Sequence, residues 1–288
     1  MPIKTLLLDV GGTFIKCAGG REIPISSEGC REDISAAFSE AVSPFCDEAL
    51  RAERTGTDCR KGAQRYGIAV AIPGPFDYRK GIFLMKHKFA AVFGETFRDV
   101  AGIPDNVELR FMHDVNGMLA GEMICGNGRG YSRVALVSLG TGLGFAMSID
   151  GHILKKETGS PLVSIFNRPY RDGILEDYAS KRGFLRAFDR LGGTGAGTVK
   201  DIAGLAAVGD GNALATFREI GAIIGEAISP ILEEYRIECL LFGGQISRSF
   251  HFMEKALYES LCDVEGLECI SQISDFGNAT FNGLRSLF

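Results

Sequence analysis

Short apolar runs alternate with glycine-rich turns near the start of the chain, and the same arrangement recurs near its middle. Each set has three runs with the length and composition of β-strands. The first run leads into Gly-Gly-Thr in one set and into Gly-Thr-Gly in the other. The pattern therefore predicts two halves that both open with a three-stranded meander. The six predicted strands are 4–9, 13–18, 22–26, 133–139, 143–149 and 152–154.

Helices and further strands follow each predicted meander. Apolar residues in 33–54 recur on one helical face, and the continuous apolar run 66–72 predicts a buried strand. Pro230 predicts a kink or break in the helix 211–235, and residues 191–198 predict an exposed connection between helices. The further predicted strands are 66–72, 107–112, 238–242 and 267–273. The predicted helices are 33–54, 115–125, 172–188, 211–235, 248–262 and 278–287.

Composition and charge exclude several classes of partner. Of the 288 residues, 45% are apolar and 23% charged, as in ordinary globular proteins. The net charge of −5 argues against nucleic acids and anionic membranes as partners. No apolar run approaches the roughly 20 residues of a membrane helix. The N-terminus leads directly into a strand, with no signal-peptide segment. We therefore expect a cytoplasmic protein, in which the eight cysteines are reduced thiols.

Asp9 ends a predicted buried strand and comes just before Gly11 and Gly12. A carboxylate at such a place either accepts hydrogen bonds from the local turn or faces a bound ion. The adjacent Gly-Gly-Thr turn and Lys16 favour a site for phosphate and Mg²⁺, since Mg²⁺ takes one or two carboxylates together with phosphate oxygens. Lys16 itself either neutralises phosphate charge or points to solvent.

Two glycine turns at equivalent strand pairs predict that backbone N–H groups bind a polyphosphate. A third strand ends at Gly243 and Gly244. The turns are neither a Walker loop nor a dinucleotide-binding fingerprint, because a strand and not a helix follows each of them. The residues of the two turns are Gly11, Gly12 and Thr13, and Gly140, Thr141 and Gly142.

Asp114 lies at the end of a predicted strand, directly before a predicted helix. Aspartate is common as a helix N-cap, which contributes about 1 kcal/mol. The same position suits a general base that accepts a proton from an attacking hydroxyl, because the positive helix end favours the ionised form. Position alone leaves both interpretations open.

The ordered set of motifs resembles the ROK family (repressors, uncharacterised frames and kinases) of the superfamily that includes sugar kinases, actin and heat-shock ATPases. The resemblance implies an α/β fold of two ribonuclease-H-like lobes. Each lobe is then a mixed five-stranded sheet flanked by helices, and an interdomain cleft separates the two. We expect an N-terminal lobe at 1–113, on which the terminal helix 276–288 packs back, and a C-terminal lobe at 114–275. The matching segments are 8–16, 67–75, 113–122, 139–144, 149–151, 173–180 and 241–247.

The resemblance also implies roles for individual residues. Asp114 is the base that deprotonates a sugar hydroxyl, and Asp9 orders Mg²⁺ through water. The two glycine turns hold the ATP phosphates with Lys16 beside them, and Gly243 and Gly244 flank the adenosine. The residues implied to contact the sugar are Gly74, His113, Asp114, Glu157, Ser160 and Glu176.

Several positions depart from the family pattern. Ser160 stands where the family has a histidine that contacts sugar and in many members ligates zinc, and Ile174 stands where a cysteine would be. We therefore expect no zinc site. His113 replaces the asparagine before the base, and 86–89 reads Lys-His-Lys-Phe where the family has an asparagine-containing segment. The identity of the sugar is therefore not predicted.

The sequence predicts an ATP-dependent sugar kinase, glucokinase-like, that acts on a hexose or hexose derivative, with ATP or polyphosphate as the donor. One alternative is a catalytically silent sensor of sugar or nucleotide, and another is a kinase of a non-sugar acceptor. A transcriptional repressor is disfavoured, because the first phosphate motif begins at Leu6 with no helix-turn-helix before it. Family members are often dimers, which suggests a homodimer by analogy alone.

Overall fold

The structure, a computed structural model, describes residues 3–55 and 64–288. These residues form two compact units. The first comprises Met1–Gly121, Lys155–Ser160 and Asn278–Phe288, and the second comprises Glu122–Leu154 and Pro161–Gly277.

The described residues alternate strands and helices along the chain. In chain order the strands are β1 (Ile3–Val10), β2 (Phe14–Cys17), β3 (Glu22–Pro24), β4 (Arg65–Ile72), β5 (Phe76–Asp77), β6 (Ile82–Phe83), β7 (Val107–His113), β8 (Arg133–Leu139), β9 (Leu143–Ile149), β10 (His152–Ile153), β11 (Pro169–Tyr170), β12 (Gly173–Ile174), β13 (Cys239–Gly243) and β14 (Cys269–Gln272). The α-helices are α1 (Arg31–Thr55), α2 (Phe97–Ala101), α3 (Asp114–Cys125), α4 (Leu175–Tyr178), α5 (Lys181–Arg190), α6 (Val199–Ala207), α7 (Gly211–Tyr235), α8 (Glu254–Ser260) and α9 (Ala279–Arg285).

The first unit is built on a five-stranded sheet in the order β3-β2-β1-β4-β7. The meander β1-β2-β3 is antiparallel, whereas β1, β4 and β7 run parallel. Asp9 pairs with Ala71, and Ile72 pairs with His113, so the carboxyl ends of the three parallel strands meet at one edge of the sheet.

Both faces of this sheet are covered, because successive side chains of a strand point to opposite faces. Leu8 packs in a core with Phe38 of α1, and its neighbour Leu7 packs with Phe281 of α9. The central strand β4 is buried on both faces, and this explains its continuous apolar run.

The second unit repeats the topology in the order β10-β9-β8-β13-β14. Its meander β8-β9-β10 is antiparallel, and β8, β13 and β14 run parallel. Buried residues of α7, among them Phe217 and Ile224, pack with Phe242 of β13 in its core. The prediction of two mixed five-stranded sheets flanked by helices is confirmed.

Two predicted helices differ in the structure. The stretch 172–188 contains β12, the second strand of the hairpin β11-β12, followed by α4 and most of α5, because the Asp177 carboxylate caps the turn by accepting the Ile174 N–H at 3.0 Å. The predicted helix 248–262 is a 3₁₀ helix over Gln245–Phe252 followed by α8. The sequence interpretation also missed β5, β6, α2 and α6.

Pro230 does not break α7, so that alternative of the prediction is wrong. The helix continues from Gly211 to Tyr235 with Pro230 inside it. Ile228, Ile231 and Leu232 are buried around the proline, and their packing offsets the lost hydrogen-bond donor.

Two further observations bear on location and redox state. No helix in the described part of the chain is long and apolar enough to cross a membrane. No disulfide joins the seven cysteines that the structure describes. Cys59 lies outside the described residues.

Glycines allow α3 and α9 to approach closely in the first unit. A Cβ on Gly121 would collide with the backbone of Ala279, and a Cβ on Gly283 would collide with the carbonyl of Gly117. The contact is made by backbone atoms, which have no alternative rotamer. Docking of α9 therefore depends on the missing side chains.

We expect Gly283→Ala to lower the free energy of unfolding by about 1–3 kcal/mol, because an added methyl group forces the two helix backbones apart. Thermal or urea unfolding of the whole chain measures the change. Gly204→Ala in α6 is the matched control, since nothing lies within 4 Å of the added Cβ. There helix propensity predicts a gain of up to about 1 kcal/mol. Equal effects of the two substitutions would contradict the packing explanation.

Candidate active site

The parallel strands of the first unit bring Asp9, Gly74 and Asp114 to one edge of the sheet. Asp9 lies at the end of β1, Gly74 follows β4 directly, and Asp114 follows β7 as the first residue of α3. Ligand sites in sheets with parallel strands commonly lie outside the carboxyl ends of those strands. The edge is therefore a candidate active site.

One oxygen of Asp114 is held while the other is left free. Its Oδ1 accepts the Val115 N–H at 2.7 Å and lies 2.8 Å from Nδ1 of His113. The Val115 nitrogen lies 3.3 Å from that Nδ1, a longer contact, so the geometry favours Nδ1 as the donor to Oδ1. No donor within the described chain reaches Oδ2, and the side chain is 42% exposed. An N-cap carboxylate accepts from the N2 or N3 amide. Asp114 instead bonds to the next residue.

The surroundings of Asp114 favour its ionised form. Burial raises its pKa, but His113, the Val115 N–H and Lys88 act against burial, and the net pKa is lowered. A lowered pKa keeps the carboxylate negative at neutral pH, so that it can accept a hydrogen bond from a hydroxyl group.

Asp9 has the opposite shift. Burial and the negative charge of Asp114 raise the pKa of Asp9 to about 6, while Lys16 acts in the opposite sense. Lys16 stands directly opposite Asp9 on β2, and its Nζ also lies 4.0 Å from Glu22. The Asp9 carboxylate accepts no hydrogen bond from the described chain. The structure therefore does not support the alternative in which Asp9 accepts hydrogen bonds from the local turn.

The first glycine turn exposes two backbone donors. The Gly11 N–H donates to the Phe14 carbonyl at 2.9 Å, and the Gly12 carbonyl accepts the Ser27 N–H at 2.9 Å. Within the described residues, the N–H groups of Gly12 and Thr13 have no acceptor. Free N–H groups at such a turn are suited to an anion.

Glu157 and Ser160 lie in a short turn that belongs to the first unit. The Lys156 N–H donates to the Ser160 carbonyl at 2.8 Å, and Oγ of Ser160 lies 3.4 Å from Oγ1 of Thr158. Glu157 is 93% exposed, and its carboxylate lies 3.9 Å from Arg79. Its side chain is therefore free to turn toward a ligand.

Tyr78 and Asn116 anchor this turn, and the sequence interpretation gave neither a role. The Tyr78 N–H donates to the Thr158 carbonyl at 2.9 Å, and Nδ2 of Asn116 donates to the Gly159 carbonyl at 3.3 Å. The Tyr78 ring also packs 5.7 Å from the ring of His113. Asn116 lies in the motif that contains Asp114, which was its only signal, whereas nothing in the sequence singles out Tyr78.

Gly74 leaves the far side of the His113 ring open. A Cβ at this position would lie 3.6 Å from Nε2 of His113 and 3.3 Å from the Tyr78 hydroxyl oxygen. Since Nδ1 faces Asp114, Nε2 is the ring nitrogen available to a ligand.

The second unit has a similar turn at Gly140, Thr141 and Gly142. The Gly140 N–H donates to the Gly142 carbonyl at 3.0 Å. Among the described residues, the N–H groups of Thr141 and Gly142 find no acceptor. Glu176 lies against this turn, where its Oε2 accepts the Leu143 N–H at 3.0 Å and its Oε1 accepts from Arg182 at 3.2 Å.

Gly243 and Gly244 end β13 in the second unit. Gly244 has a φ of 81°, and a Cβ there would collide with the backbone of Leu139. The Ser247 hydroxyl donates to the Gly243 carbonyl at 2.6 Å. A residue with a side chain does not fit at position 244, so the two strand ends meet there as bare backbone.

The chemistry of the first-unit edge fits a hydrated Mg²⁺ ion. Asp9 is a half-buried carboxylate that accepts no hydrogen bond from the described chain, and the negative charge of Asp114 repels it. A cation would relieve both conditions. For zinc, no group of three or more His, Cys, Asp or Glu side chains converges among the described residues. The expectation of no zinc stays a prediction.

Comparison with known proteins gives the same fold. A glucokinase of Thermotoga maritima is 23% identical over an alignment of 239 residues, and the match covers 75% of each chain. A ROK family glucokinase from Streptomyces griseus, solved with glucose and AMPPNP, superposes with a TM-score of 0.72 at 22% identity and covers 98% of both chains. A ROK family transcriptional regulator, a homologue of the E. coli MLC protein, superposes with a TM-score of 0.71 at 17% identity over 97% of this chain and 76% of its own.

The family assignment comes from the sequence model that describes the ROK family, which matches residues 6–162. The match spans more than half of the chain and contains the first glycine turn, Asp114 and the second glycine turn. It confirms the resemblance found in the sequence. The chain belongs to the ROK family.

Proposed function

We propose that this protein is an ATP-dependent sugar kinase in which Asp114 is the general base. The observation that carries the proposal is the state of the Asp114 carboxylate, which is ionised, held at Oδ1 and free at Oδ2. The kinases among its relatives and the glucose and AMPPNP in the Streptomyces structure support the reaction class.

Oδ2 of Asp114 accepts the proton of the sugar hydroxyl as the hydroxyl oxygen attacks the γ-phosphorus. The bond from that phosphorus to the bridging oxygen breaks, and ADP leaves. Phosphoryl transfer proceeds through a loose transition state, which requires little proton abstraction early in the reaction. A carboxylate of low pKa is then sufficient, because its main task is to orient the hydroxyl.

His113 positions this base. A donor on Nδ1 fixes the carboxylate plane, so Oδ2 keeps one direction relative to the sheet edge. Nε2 of His113 and the open space at Gly74 then face the acceptor. Glu157 and Ser160 contribute further hydroxyl contacts in the proposal, from the turn that Tyr78 and Asn116 hold.

In the proposal each glycine turn offers nucleotide phosphates N–H groups that have no acceptor in the described chain, those of Gly12 and Thr13 in the first unit, with Lys16 nearby, and those of Thr141 and Gly142 in the second. Gly243 and Gly244 provide flat backbone for the adenosine. Asp9 would hold Mg²⁺ through water, and the ion would supply positive charge to the transferred phosphoryl group. Glu176 supports the second turn and is available to a sugar hydroxyl only through its remaining lone pairs.

We expect Asp114→Asn to lower kcat by about 10²- to 10⁴-fold, because the amide cannot accept the proton. Nucleotide affinity should change little, since Asp114 makes no phosphate contact in the proposal. A coupled assay for ADP over a panel of hexoses and acylated hexosamines measures the first, and calorimetry measures the second.

Asp105→Asn serves as the control, because this aspartate is fully exposed and pairs only weakly with Arg98 at 3.9 Å. It should leave kcat unchanged. Activity that survives Asp114→Asn would remove the base assignment. Sugar or nucleotide binding by the unsubstituted protein without any product in a single turnover would identify a silent sensor instead.

The pKa of Asp9 predicts how activity depends on Mg²⁺. With a pKa of about 6, Asp9 is negative above pH 6 and becomes neutral as the pH falls through 6. The Mg²⁺ concentration for half-maximal activity should therefore rise by up to about tenfold per unit below pH 6. In Asp9→Asn it should be raised at every pH and lack this added dependence. Titration of the nucleotide affects both proteins alike, so parallel pH profiles of the two would contradict the assignment.

A further inference from the structure

Lys88 is a half-buried cation near the candidate active site. The reaction proposed above assigns it no role. Within the described part of the chain, no carboxylate forms an ion pair with its ammonium group. Partial burial of a lysine without a partner is unfavourable, because the charged group loses hydration. Such a position is typical of a residue whose partner is a ligand.

Backbone contacts place Lys88 beside the first phosphate turn. The next residue, Phe89, is fully buried, has a left-handed φ of 51°, and donates its N–H to the Ser27 carbonyl at 2.5 Å. Ser27 in turn donates its N–H to the Gly12 carbonyl at 2.9 Å. Lys88 is therefore attached through two hydrogen bonds to the turn that is expected to hold phosphate.

The charge of Lys88 also acts on Asp114. Burial raises the pKa of Asp114, and Lys88 is one of the groups that lower it, together with His113. The ammonium group therefore lies within electrostatic range of the general base without pairing with it. Asp114 and Lys88 are in the same unit, so this placement is internal to it.

Neutral sugar hydroxyls do not need a cation at this place. Hydroxyl groups are bound well by carboxylates, amides and backbone groups, whereas a lysine ammonium binds carboxylate or phosphate oxygens most strongly. Lys88 belongs to the Lys-His-Lys segment, which is one of the places where the chain departs from the family pattern.

We propose that the acceptor carries an anionic group, a carboxylate or a phosphate ester, and that Lys88 binds this group while Asp114 activates a hydroxyl of the same molecule. The proposal rests on the proposed function and specifies its substrate class. The hydroxyl oxygen forms the new bond to the γ-phosphorus, its proton passes to Oδ2 of Asp114, and ADP leaves with the bridging oxygen. The anionic group itself does not react.

The test is a set of matched acceptors offered to the full-length protein with Mg²⁺ and ATP. Glucose, glucuronate, gluconate and glucose 6-phosphate represent the neutral, carboxylate and phosphate forms, and the corresponding four compounds of the mannose and galactose series extend the set. ADP release and the mass of the product are both measured. We expect kcat/KM for at least one anionic acceptor to exceed that of its neutral analogue by at least about tenfold. The carboxylate and phosphate arms show which of the two anions is bound.

Two substitutions of Lys88 then test whether this residue causes the preference for the anionic acceptor. Lys88→Asn should lower kcat/KM for the anionic acceptor by at least about tenfold, mainly through KM, and leave the neutral analogue within about threefold. Lys88→Arg should restore most of the preference, because it retains the charge. Lys86→Asn is the matched control. It removes the same charge from the same segment, but its ammonium lies over the Phe93 ring at 5.5 Å, so the preference should remain.

The outcomes separate this inference from the proposed function. Phosphorylation of neutral sugars alone, or a preference that Lys88→Asn does not change, overturns the anionic acceptor and leaves the kinase intact. An equal loss with every acceptor assigns Lys88 to the transferred phosphoryl group and also overturns it. Failure of every acceptor in the panel with intact nucleotide binding counts against the sugar kinase itself. The acceptor panel uses the unsubstituted protein, so its result remains valid even if a variant does not fold.

Discussion

Burial of the Asp9 carboxylate beside the charged Asp114 carboxylate is the constraint on which the candidate active site depends. The parallel order of β1, β4 and β7 brings both to one edge, and two such charges cannot both be stable there without compensation. The two residues respond differently. Asp114 accepts hydrogen bonds from the Val115 N–H and Nδ1 of His113 and its pKa is lowered, whereas no group of the described chain donates to Asp9, whose pKa burial raises to about 6. In the proposed reaction this difference suits Asp114 to the role of base and Asp9 to that of a cation site.

The glycines act through what they leave exposed. In each unit a glycine turn joins the first two strands. Two N–H groups of each turn have no acceptor in the described chain, those of Gly12 and Thr13 in the first unit and those of Thr141 and Gly142 in the second. The glycines of these turns place no side chain beside the N–H groups. At Gly244 and Gly283 the absent side chain has another purpose, because backbone approaches backbone there. The same residue type therefore serves ligand access in one place and packing in another.

The exposed groups of the site depend on buried supports. The turn that carries Glu157 and Ser160 is tied to Tyr78 and Asn116, and the segment that carries Lys88 is tied through the buried Phe89 to Ser27. Asn116 is nearly fully buried, and no donor within the described chain forms a hydrogen bond with its Oδ1. These buried residues link the apolar core to the residues that are proposed to contact the ligand. A substitution in the core can therefore alter the acceptor site without contacting the ligand.

The sequence alone determined the family, the two meanders and the glycine turns, because apolar periodicity and turn residues are local properties that recur in order along the chain. Most strands and the helices α1, α3 and α7 followed for the same reason. The region 172–188 did not, since its course depends on the contact of Asp177 with the turn before it. Only the tertiary structure decided that Oδ1 of Asp114 is occupied and Oδ2 free, that Asp9 has no donor, and that Lys88 acts on Asp114 from a segment 26 residues earlier. These facts depend on distances between residues far apart in sequence, and a linear pattern does not contain such distances.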